Sequence, residues 1–135
     1  MQPPVDVQFH EDLGLLVWKP RGVLTEKAVN QILAFIGEQE AISDASEMRF
    51  IDTTALTEID LNFHYVFHIA LYRRLSRTGR PTIKSAFLVP DDALAHYFKL
   101  HALLTNHSSL KVRIFKEREA IAKWLNVPIK LLDIP

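Results

Sequence analysis

Met48-Arg49-Phe50-Ile51-Asp52 reads as a short strand, and its flanks decide the fold. Upstream lies a polar loop with Ser43, Asp44, Ser46 and Glu47. Before that loop, Val29, Ile32, Leu33 and Ile36 recur at i, i+3, i+4 and i+7, the spacing of an amphipathic helix, and Thr25 is placed to cap it. Downstream, Asp60 is the expected cap of a second helix, Leu61 to Thr78, halted by Gly79 and Pro81. A strand with a helix on either side cannot reach its neighbours by hairpins. It needs crossover connections, which are right-handed and build a largely parallel sheet.

Working outward, Val5, Val7 and Phe9 alternate with polar residues, and after His10-Glu11-Asp12 the run Leu13 to Trp18 is nearly all apolar. That pattern predicts an opening β-hairpin. Thr82 to Val89 reads as the next strand, and Pro90-Asp91 opens a third helix that turns Leu94, Tyr97, Phe98, His101 and Leu104 inward. Leu110, Val112 and Ile114 alternate with Lys111 and Arg113, as a half-buried strand near a sheet edge would. A last helix, Glu117 to Asn126, buries Ile121, Trp124 and Leu125, and an apolar tail, residues 127–135, follows. The expectation is a single α/β domain over residues 1–135, with about five strands in a mixed sheet and about four helices, in the order β-β-α-β-α-β-α-β-α.

Composition removes several classes of function. Of 135 residues, 48% are hydrophobic and 24% charged, which suits a folded core and argues against disorder. Sixteen basic residues balance sixteen acidic ones, so no global field draws in nucleic acid. There is no cysteine, hence no disulfide framework, thiolate metal site or cysteine nucleophile, which fits a cytoplasmic setting. The start carries no secretory pattern, and the apolar-rich Leu61 to Leu75, with His64, His68, Arg73 and Arg74, is too short and polar for a transmembrane segment.

The order of elements and two stretches resemble the STAS-like, anti-sigma-factor-antagonist-like domains, and most of all their stand-alone bacterial branch related to CRAL-TRIO-like folds. One stretch is Met48 to Asp52 leading to Asp60; the other is Val112-Arg113-Ile114-Phe115-Lys116 with Glu119 to Leu125. The resemblance implies a two-layer domain and a role in protein interaction or regulation. In signalling members a serine or threonine near the second helix is phosphorylated as a switch. Here the matching loop, Thr57-Glu58-Ile59-Asp60, offers only Thr57 beside two carboxylates, so Asp52, Thr57 and Asp60 mark the region that such a switch would occupy.

Chemistry-bearing motifs are sparse. His64 and His68 share a helix face at metal-ligand spacing but lack a third ligand nearby, and packing explains them. Asp52 and Asp60 fall where ligand sites of open α/β sheets gather, yet a strand end and a helix cap account for both. With four glycines the chain has no G-x-S-x-G, P-loop or G-x-G-x-x-G, so neither catalysis nor a cofactor is expected. Arg73, Arg74, Arg77, Arg80 and Lys84 read as cations favoured at a helix carboxyl end.

The second helix is the informative element. Leu61, Phe63, Tyr65, Val66, Phe67, Ile69, Ala70, Leu71 and Tyr72 spread apolar surface around most of its circumference, which requires a second covering for the face turned from the sheet. The first expectation is a non-enzymatic, self-associating interaction module, a homodimer through Phe63, Tyr65, Phe67 and Tyr72. The alternative coverings are the 127–135 tail or a small apolar or acyl ligand held among Phe63, Phe67, Tyr97, Phe98 and His101.

Overall fold

The computed structural model describes residues 5–42, 48–76, 79, 81–106 and 108–134. Among these residues seven strands and four helices follow one another as β1 (Val7–His10), β2 (Leu15–Trp18), β3 (Gly22–Thr25), α1 (Glu26–Ile42), β4 (Met48–Asp52), β5 (Leu56–Asp60), α2 (Phe63–Ser76), β6 (Ile83–Leu88), α3 (Asp92–Leu104), β7 (Leu110–Phe115) and α4 (Arg118–Leu125), with a closing 3-10 turn at Ile129–Leu132. The main sheet has the order β1-β2-β4-β6-β7, so Met48–Asp52 is its centre. Its first pair is antiparallel, the predicted hairpin, and every other pair is parallel. β7 lies at the edge, as its alternating pattern predicts.

Two strands were not legible as such. β3 and β5 pair in parallel as a separate ribbon, in which Thr25 faces Asp60. Leu56 and Ile59, the buried residues of β5, stand three apart, a spacing that resembles the onset of a helix more than a strand. Gly22 begins β3 at φ +70°, where a side chain would be strained, and the register shifts beside it. Asp60 therefore ends a strand and does not cap α2. Asn62 does so, its side-chain oxygen accepting from the Tyr65 amide at 2.7 Å.

The other helix starts follow the sequence signals. The Thr25 hydroxyl accepts from the Ala28 amide at 3.2 Å, and the Asp91 carboxylate from the Ala93 amide at 2.7 Å. α4 ends at Asn126, whose φ of 58° is the left-handed stop that asparagine tolerates.

The sheet is covered on both faces, which corrects the two-layer expectation. Leu16, Trp18, Ile51, Phe87 and Val89 form one core with Ile32, Phe35 and Ile36 of α1 and with Ala95 and Phe98 of α3. Leu15, Val17, Phe50, Ala86 and Leu88 form the other with Ile121 and Leu125 of α4 and with Val127, Leu132 and Ile134. Strands in near-continuous apolar runs, such as Leu15-Leu16-Val17-Trp18, need burial on both sides. The tail supplies much of that second cover, with Leu132 fully buried. It docks on its own chain, on the sheet face opposite α1 and α3, and leaves the outer face of α2 bare. Among the described residues no helix is long and apolar enough to cross a membrane.

Candidate functional site

α2 sits over the sheet between α1 and α3 and turns only a narrow stripe inward, Val66, Ala70 and Arg73, at i, i+4 and i+7. Asn62 sets its start, and the Phe63 ring stacks on Tyr97 of α3 at 5.6 Å. At the same end the Tyr65 hydroxyl donates to Asn30 Oδ1 at 2.6 Å and lies 3.3 Å from the Glu26 carbonyl, tying α2 to α1. Burial, with Glu26 nearby, raises the Tyr65 pKa, so the phenol stays a proton donor. Because two of the three inward side chains, Val66 and Ala70, are small, a gap remains beneath the helix.

That gap is an almost wholly apolar cavity of about 100 Å³. Leu16, Trp18, Ile51 and Phe87 form its floor on the sheet, Val29, Ile32, Leu33 and Ile36 its α1 wall, and Tyr65, Val66 and Ile69 its roof. Tyr97 and His101 close it from α3. The charged side chains of its lining are Arg49 of β4 and Arg73 of α2, which also border an adjoining hollow of about 130 Å³ that runs past Gly37, Glu40, Tyr72 and Ser76.

Both guanidinium groups are buried. Arg49 is 2% exposed and ion-pairs with Glu40 of α1 at 2.7 Å. Arg73 is 8% exposed, and among the described residues no carboxylate comes within ion-pair distance of it. Its Nη1 lies 2.6 Å from Nε2 of His101. A guanidinium only donates, so Nε2 accepts and the imidazole proton sits on Nδ1. Burial, reinforced by the Arg73 charge, holds His101 well below the usual histidine range, and the ring is neutral at pH 7. Burial and the nearby Arg49, opposed by Glu40, push Arg73 down to about 9, which leaves it charged at neutral pH. Ser85 pairs in register with Arg49, on the same sheet face as Phe87. It is fully buried, and its hydroxyl has no hydrogen-bond partner among the described residues.

The residues singled out in the sequence separate into distinct places. Of the five aromatic and histidine residues expected around a ligand, Tyr97 and His101 line the cavity. Phe98 is instead core, 5.1 Å from the Phe87 ring. Phe63 and Phe67 are on the outside of α2, 56% and 51% exposed. Of the expected interface residues, Phe63, Phe67 and Tyr72 are exposed, but Tyr65 is turned inward to Asn30. Packing decides this: a helix that meets a sheet along one stripe cannot bury residues on both its sides.

The expected switch region is likewise dispersed. Asp52 is 1% exposed, accepts from the Thr54 amide at 2.8 Å and hydroxyl at 2.6 Å, and is ion-paired with Arg118 of α4. Thr57 and Asp60 are exposed along β5, before α2 begins. His64 and His68 are exposed beside a shallow groove with Phe67, Leu71 and Leu104, and among the described residues no group of three or more His, Asp or Glu is placed to hold a metal.

Of the basic cluster, Arg74 and Lys84 are exposed, and Lys84 lies over the Trp124 ring at 5.2 Å. Arg77 and Arg80 are outside the described residues, as are the 43–47 loop and Pro135. Arg73 is not a surface cation at all. The signal that finds it is its spacing from Val66 and Ala70 along the inward stripe. Arg49 was equally legible, since a strand buried on both faces must bury whatever stands between Met48 and Phe50. No family model, curated protein or solved structure matches this chain.

Proposed function

We propose that this chain is a non-enzymatic binding domain that holds a small apolar ligand in the cavity beneath α2, and that its fold is of the STAS-like kind. The cavity carries the reading: an apolar space between sheet and helix, lined by Trp18, Phe87 and Tyr97, with the buried Arg49, Arg73 and His101 among its few polar groups. Ligand sites have this character, concave and apolar with a small number of convergent polar groups. An apolar cavity of about 150 Å³ accepts a benzene-sized molecule; this one has about two-thirds of that volume and adjoins a hollow of about 130 Å³, so a short acyl chain is the scale of ligand that matches it. The STAS-like part of the proposal is supported by the sequence stretches around Met48–Asp52 and Val112–Leu125.

The test uses 1-hexanol as a neutral probe of the apolar space, followed by amide chemical shifts in the full chain. Shifts concentrated on Leu33, Ile69 and Tyr97, and abolished by Ile69→Phe, support the reading. A saturating dose that moves no amide of the cavity wall sinks it.

A second reading, self-association through the outer face of α2, is favoured by a separate observation. Phe63, Phe67, Leu71 and Leu75 recur every fourth residue and are each more than half exposed. A native mass spectrum reports both readings at once. A dimer dispersed by Phe67→Glu supports self-association, and a chain monomeric at every concentration up to its solubility limit removes it.

A further inference from the structure

The buried cationic end of the cavity specifies the chemistry of its ligand beyond apolar bulk. Two guanidinium groups, Arg49 and Arg73, stand there with one carboxylate, Glu40, while His101 is neutral. Among the described residues lining the two hollows this leaves one positive charge in excess. Arg73 holds that excess: it is more than nine-tenths buried, borders the cavity, and has an uncharged imidazole as its side-chain hydrogen-bond partner. A charge so placed is costly to desolvate and is stabilised by a matching anion.

We propose that the cavity takes a small organic monocarboxylate, its short apolar chain against Leu16, Ile51 and Phe87 and its carboxylate on the Arg73 guanidinium. The proposal rests on the reading of the cavity as a ligand site. A carboxylate fits the donor set better than a bulkier anion, because a planar guanidinium presents parallel N–H donors to two oxygens and the net charge to be matched is one. His101 then has a positioning role. By accepting from Arg73 while remaining neutral, it orients the guanidinium without cancelling its charge.

The experiment measures the affinities of hexanoate and 1-hexanol, equal in chain length and different in charge, for the full chain at neutral pH by calorimetry, and repeats both with Arg73→Met and Arg73→Lys. The expected result is hexanoate at least about tenfold tighter than 1-hexanol, the scale of one charge-assisted pair. Arg73→Met removes that preference while 1-hexanol still binds, and Arg73→Lys keeps part of it. Equal affinity of the two ligands, or a preference that survives in Arg73→Met, overturns the carboxylate assignment and leaves the apolar cavity standing. Binding of neither ligand overturns both. The wild-type comparison decides even if a variant does not fold.

Discussion

Acidification should destabilise this protein through His101 in a calculable way. The ring is buried, and four features surround it: Arg73 from α2 at 2.6 Å, Arg49 from β4 and Glu40 from α1 near that guanidinium, and the Phe87 ring at 6.1 Å. Burial and the Arg73 charge lower its pKa in the folded state, whereas an unfolded histidine titrates near about 6.5. Below that pH the unfolded chain takes up a proton that the folded one refuses. Stability therefore falls as pH falls, by up to about 1.4 kcal/mol per pH unit until the folded pKa is reached. From about pH 7.5 to about pH 5 the loss accumulates to about 2 kcal/mol if the folded ring stays neutral throughout. Urea unfolding across that range, for the wild type and for His101→Gln, measures it. Glutamine accepts from Arg73 but does not titrate. It should lower stability at neutral pH, where ring packing is lost, and flatten the acid limb, while the other five histidines act alike in both proteins. Parallel profiles for the two proteins would refute the buried neutral imidazole.

Two further outcomes test the framework around the site. Leu132→Ala should cost about 3–5 kcal/mol in chemical unfolding, since Leu132 is fully buried against the second core; a concentration-dependent loss would instead indicate a tail exchanged between chains. Asp91→Ala should cost about 1 kcal/mol by removing the acceptor of the Ala93 amide, read as a lowered melting temperature with no change in hexanol binding.

Local chemistry wrote much of this fold into the sequence. Thr25 and Asp91 cap the helices at which they were placed, because a side-chain oxygen satisfies free amides wherever it stands at a helix start. Met48–Asp52 between two helical periods was enough for a parallel sheet, because crossover connections leave no other pairing. The β3–β5 ribbon escaped notice because its bonds join residues more than thirty apart. The spacing of Leu56 and Ile59 points to a helix until the partner strand is seen.

The candidate site divides along the same line. The sequence by itself determined that α2 has more apolar surface than one sheet face can cover, and that Tyr97 and His101 turn inward from α3. Only the tertiary structure decided which side of α2 meets the sheet, and with it that Phe63 and Phe67 are outside, that the tail covers the opposite face, and that Arg73 is buried beside His101. Periodicity marks which residues share a face. The direction of that face is settled by packing among segments far apart in the chain, and so is the excess charge that it encloses.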